Sequence, residues 1–96
     1  MPLSPRARVY VQDARAWDKK AREARARFNQ VMAEKTHEYM NRRHDPVDRF
    51  SAQYRAAGTT QAQAAAADDQ MYTRWAQEAA AMATMEMLAE DRRQYN

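Results

Sequence analysis

From Tyr10 onward, apolar residues recur at alternating steps of four and three: Tyr10, Ala14, Trp17, Ala21, Ala24, Phe28 and Val31. That spacing marks one face of an α-helix and forms a heptad seam. At Lys35 the register fails, and the apolar side continues on Met32, Thr36, Tyr39 and Met40, the slow drift of a straight helix against a strict heptad. Large and small residues alternate along the seam, so a partner helix can come close at the alanines and be anchored at Trp17 and Phe28. Ser4-Pro5 supplies the start, a hydroxyl to cap free amides and a proline at the first helical position. No glycine or proline follows before Arg43, so the pattern predicts a first helix over about 5–43.

Asp45-Pro46 ends that run, because the residue before a proline is driven out of the α region. The same pair opens a short second helix over about 46–57, with Asp45 as its cap and Val47, Phe50, Tyr54 and Ala57 along one face. Gly58, the only glycine, falls where a helix commonly ends in a left-handed residue. Thr60 and Gln63 then read as a capping box for a third helix over about 61–92.

This third helix is apolar on two sides. Met71, Trp75, Met82, Met85 and Ala89 share one face, flanked by Tyr72 and Ala79, while Ala76, Ala80, Ala83 and Met87 occupy another. A surface helix normally keeps a single stripe for the core. Two faces imply two neighbours. The first is expected to seal the hairpin seam, formed by Tyr10, Trp17, Phe28, Met32 and Tyr39 with Met71, Trp75, Met82 and Met85. The second, Ala76, Ala80, Ala83 and Met87, is expected to meet a partner. The predicted fold is all-α: one domain over residues 1–96, an elongated antiparallel helical hairpin of two long helices joined by a short one, completed by oligomerisation or a helical partner.

Composition supports helix and shows how little the chain has to bury. Its 96 residues include 21 alanines and no isoleucine, and leucine, valine and phenylalanine together number 8. Small domains are already marginal in the surface they remove from water, which strengthens the expectation of a second chain. The absence of cysteine rules out disulfides and thiolate sites. The start lacks the apolar run of a secretory signal, and the longest apolar run, Ala79 to Ala83, is far too short to span a bilayer. A cytoplasmic protein is expected, with signal-less export or incorporation into a particle as alternatives.

Charge is uneven: residues 1–50 carry 12 basic and 7 acidic side chains, residues 51–96 carry 4 and 6, so the two long helices attract each other when antiparallel. Arg8, Arg15, Lys19 and Arg22 lie on one side of the first helix, opposite Trp17. Such a face suits phosphates or an acidic protein, but Asp13, Asp18 and Glu23 dilute it, and Trp17 and Phe28 belong to the seam rather than to a base-stacking platform.

Glu34 and His37 have the Glu-x-x-His spacing of di-iron bundles, but that architecture needs a second such motif, and no other is present. His44 lies beyond the same helix's expected end. The methionines of the third helix suit soft metals, yet fit better as adaptable packing. Glu78 falls within the apolar stripe, either as a buried partner for a basic residue such as Lys35 or as an exposed carboxylate at its edge. No phosphate loop, nucleophile elbow or metalloprotease motif occurs. No catalytic, cofactor or metal site is expected.

The leading expectation is therefore a non-enzymatic structural or adaptor protein that assembles with itself or a protein partner through the apolar faces of the third helix. The alternative is a nucleic-acid-associated protein using the basic face. In size, lack of cysteine and hairpin pattern the chain also resembles the WXG100 proteins of type VII export, which implies a small signal-less exported hairpin or its chaperone. It departs from them in carrying Asp45-Pro46 and Ala57-Gly58 instead of a Trp-x-Gly turn, and in lacking their C-terminal Tyr-x-x-x-Asp/Glu signal.

Overall fold

The computed structural model describes residues 3–42 and 48–95, apart from the side chains of Tyr39, Arg42, residues 48–52 and Tyr95. It is an all-α hairpin in which two long helices, α1 (Pro5–Arg42) and α3 (Thr60–Tyr95), pack against each other, with the short α2 (Asp48–Ala57) between them in sequence. His44, Asp45, Pro46 and Val47 lie outside the described residues, as do the side chains of Tyr39 and Phe50.

The start of α1 follows from its first residues. Ser4 Oγ accepts a hydrogen bond from the Ala7 amide at 3.1 Å, and the Ser4 carbonyl accepts one from the Arg8 amide at 2.9 Å. Pro5, which has no amide to satisfy, takes the first helical position.

The α2–α3 junction differs from the expectation in two respects. Thr59, not Thr60, caps α3: its Oγ1 accepts from the Ala62 amide at 3.1 Å, and its carbonyl accepts from Gln63 at 2.9 Å. With the cap one residue earlier, Gln63 no longer sits at the position a capping box requires. Gly58 also has no positive φ. The end of α2 closes instead by tight three-residue steps, Gly58 N–H to Arg55 O at 3.1 Å and Thr59 N–H to Ala56 O at 3.2 Å.

A Cβ at Gly58 would meet the Arg55 and Tyr54 carbonyl oxygens at 3.5 and 3.8 Å, ordinary van der Waals contacts. Gly58→Ala is therefore expected to stabilise the chain by about 0.4–1 kcal/mol by restricting the unfolded state. Urea denaturation followed by circular dichroism checks this, and a lower midpoint would mean that the junction needs glycine's freedom after all.

The described chain divides into two units, Met1–Ala21 with Met71–Asn96, and Arg22–Gln70. In the first, Ala7, Ala21 and Ala83 are buried. In the second, Ala24, Ala56, Ala62 and Ala65 are buried, with Phe28, Val31, Met32, Thr36 and Met40 half-buried around them. Every buried hydrophobic residue among those described is an alanine. Alanine leaves the helix axes free to approach toward the short end of the ~8–10 Å range. It also carries almost no side-chain entropy to lose.

Ion pairs fix how α1 and α3 meet within the second unit. Arg25 holds Asp69 with two parallel bonds, Nε to Oδ2 and Nη2 to Oδ1, each 3.1 Å. Arg27 reaches Asp68 at 3.5 Å. Both arginines are more than half exposed, so each pair contributes no more than about 1 kcal/mol. The fork of Arg25 on Asp69 does, however, favour one register of the two helices.

Candidate protein interface on α3

Position along α3 decides what each side chain can do. Within the first unit, Trp17 of α1 is clasped by two aromatic residues of α3. Tyr72 stacks on it with ring centroids 5.7 Å apart and planes at 13°, and Trp75 meets it edge-on at 4.7 Å and 69°. Tyr72 and Trp75 complete the triangle at 5.8 Å and 71°. The Lys20 ammonium lies 5.2 Å from the Trp17 ring centroid and 5.7 Å from that of Tyr72, within cation–π range. The three rings arise from helical spacing: Tyr72 and Trp75 are three apart on α3, and Lys20 is three beyond Trp17 on α1.

Beyond this cluster the inward face of α3 is not the one that size and hydrophobicity suggest. Ala83, expected on the free face, is buried at 3% exposure. Ala76 and Met87 of the same group are half-buried, and only Ala80 is exposed. Conversely, Met82 and Met85, expected to seal the hairpin, are exposed at 39% and 61%, with Leu88 at 57%. Met71 and Trp75 are each at 37%, and Trp75 keeps its contact with Trp17.

The inward face therefore runs along Tyr72, Ala79, Ala83 and the half-buried Glu86 and Glu90. That is a rotation of about one residue, ~100° at 3.6 residues per turn. The physical reason is size. A close helix pair has room for alanine at its centre, and methionine is pushed to the rim, where its flexible thioether tolerates partial exposure.

On α1, Tyr10, Trp17, Phe28 and Met32 of the expected seam are all half-buried. Arg8, Arg15, Lys19 and Arg22 are exposed. Arg8 Nη2 donates to the Leu3 carbonyl at 3.5 Å. Glu78 resolves to the exposed alternative: it pairs with Arg74 one turn earlier at 3.8 Å, and Lys35 pairs with Glu38 at 3.5 Å. His37 shares a 3.1 Å hydrogen bond with Asn41. No group of three or more His, Cys, Asp or Glu positioned to hold a metal ion occurs among the described residues.

Two shallow grooves lie in the second unit. One, of about 420 Å³, is lined by Val31, Ala64 and Ala65 with Arg27, Glu34 and Asp68 at its edges. The other, of about 440 Å³, is lined by Met32, Thr36, Met40 and Gln53 among others. Neither gathers the convergent polar groups by which small-molecule sites orient a ligand. The first unit instead presents a surface: Met71, Trp75, Met82 and Met85 recur at helical spacing on one exposed side of α3, with Leu88 beside them.

Sequence reasoning did not single out the Lys20 cation–π contact or the Arg25–Asp69 fork. The opposite charges of the two halves were the available signal for the second. No helix among the described residues is long and apolar enough to cross a membrane. Comparison with protein-family models, curated proteins and solved structures found no match. The class defined by the fold is thus an all-α helical hairpin.

Proposed function

We propose that this chain is a non-enzymatic helical interaction protein whose α3 docks onto another protein chain through Met71, Trp75, Met82 and Met85. The observation that carries this reading is the inversion of its apolar residues. The buried positions among those described are alanines, while methionine and leucine side chains of α3 face water. Apolar side chains exposed together on one side of a helix mark interaction sites. Aromatic residues and methionine are also the types enriched at the centres of protein interfaces.

An adaptor or scaffold role follows from such a surface without requiring chemistry from the chain. Nucleic-acid binding through the basic face of Arg8, Arg15, Lys19 and Arg22 is the weaker reading. Exposed aspartates and a glutamate are interspersed along that stretch of α1, and Trp17 is engaged in the hairpin.

The test puts charge on the apolar stripe. Met82→Glu/Met85→Glu changes two exposed positions, so helix content is expected to stay close to that of the parent. Assembly, read as mass by light scattering on the chain alone and with its co-purified partners, is expected to be lost. An assembly of unchanged mass would place the interface elsewhere.

A further inference from the structure

Resting on the reading of α3 as an interface, we infer that its exposed stripe is occupied by a second copy of this chain, docked antiparallel about a two-fold axis beside Glu78. The stripe is close to palindromic. Met71 and Met85 stand seven residues on either side of Glu78, and Trp75 and Met82 stand three before and four after it. Turning α3 end for end about Glu78 therefore lays Met71 against Met85 of the other copy and Trp75 against Met82. All of these residues are exposed in the single chain. A two-fold contact requires this kind of self-complementary surface, because each position must meet its symmetry mate's counterpart.

Charge fits the same arrangement. Arg74 already reaches Glu78 at 3.8 Å across one helical turn, with both side chains mostly exposed. In the antiparallel pair the two Glu78 carboxylates lie together at the axis, and one Arg74 flanks them on each side, so either arginine can neutralise either carboxylate. A parallel pair in register also brings glutamate onto glutamate but stacks arginine on arginine as well, whereas the antiparallel pair separates the two arginines to opposite sides of the carboxylates.

The chain has no cysteine, so single-cysteine variants of the full chain report geometry directly. Under mild oxidation, Glu78→Cys is expected to cross-link to itself. Met71→Cys and Met85→Cys are each expected to stay uncross-linked alone, because like positions would lie about 21 Å apart along the axis, well beyond the ~7 Å Cα separation a disulfide tolerates. An equal mixture of Met71→Cys and Met85→Cys is expected to give the mixed dimer.

Alongside, sedimentation equilibrium of the unaltered chain at micromolar concentration is expected to give twice the 11.2 kDa chain mass. Self-cross-linking of Met71→Cys as fast as that of Glu78→Cys overturns the antiparallel two-fold. A monomer overturns the second copy. If that monomer still binds a different protein and Met82→Glu/Met85→Glu abolishes the binding, the interface reading stands and only this inference fails; if the double variant changes nothing, both fall.

Discussion

Trp17→Ala is expected to destabilise the chain by about 2–4 kcal/mol, the largest loss from any single truncation in the first unit. Trp17 packs its ring against both Tyr72 and Trp75, and each aromatic pair is worth about 0.5–1.5 kcal/mol beyond the area it covers. Lys20 also loses one of its two ring partners. Because Trp17 is half-buried rather than enclosed, the value sits toward the lower end of the range for core tryptophans.

For a domain of this size each kcal/mol moves the melting midpoint by about 4–8 °C, so a fall of ~10–20 °C is expected in thermal denaturation followed at 222 nm. Protein concentration must be held fixed, since association shifts the midpoint by mass action. Trp17→Phe keeps a ring to stack on Tyr72 and is expected to lose less than half as much. A Trp17→Ala midpoint within about 2 °C of the parent would mean that the cluster decorates the hairpin without holding it.

In the second unit the largest effect is expected from making a residue bigger. Ala24 is 0% exposed on α1, next to the residue that forks onto Asp69 of α3. Leucine there must push the helices apart or take up a strained rotamer, at about 1–3 kcal/mol. The separation would also strain the Arg25–Asp69 fork, so the loss of stability is expected to be accompanied by weaker coupling between those two residues in a double-mutant cycle.

Ala26, two residues along on the exposed side of α1, is the control. Ala26→Leu is expected to leave the urea midpoint nearly unchanged, because both residues are good helix formers and no neighbour is displaced. If Ala24→Leu proved as harmless as Ala26→Leu, or stabilised the chain by filling space, the close alanine contact would be wrong.

These two substitutions separate the ways in which the hairpin is held: aromatic anchoring in one unit, and close alanine packing with the Arg25–Asp69 fork in the other. Trp75 belongs both to the first of these and to the exposed side of α3, whereas Met71, Met82, Met85 and Leu88 of that side stay exposed. The same division explains why the double glutamate substitution at Met82 and Met85 is expected to alter assembly rather than folding.

How far the sequence could be read varied from element to element. The helices were legible because their signals are local. Ser4-Pro5 starts α1, the four-three spacing from Tyr10 to Val31 gives α1 its inward face, and a Gly-Thr pair separates α2 from α3. Antiparallel pairing followed from short connections and opposite charge. Two threonines stand side by side at the start of α3, and only the hydrogen bond to Ala62 distinguishes Thr59 as the cap from the expected Thr60. Gly58 suggests a left-handed residue by its identity alone, whereas tight steps end α2 without that conformation.

The orientation of α3 was beyond the sequence. Its alanines and methionines surround the helix so evenly that no single side stands out by hydrophobicity, and a ranking by size chose the Met82 and Met85 side as inward. Tertiary packing chose Ala83 instead, since the gap between two close helices is set by the smallest side chains along it. The sequence by itself determined that there would be two long helices, where they begin and end to within a few residues, and which side of α1 turns inward. Only the tertiary structure decided which side of α3 does so, and therefore which methionines stay exposed. Burial is a property of two surfaces together, and the sequence of α3 describes only one of them.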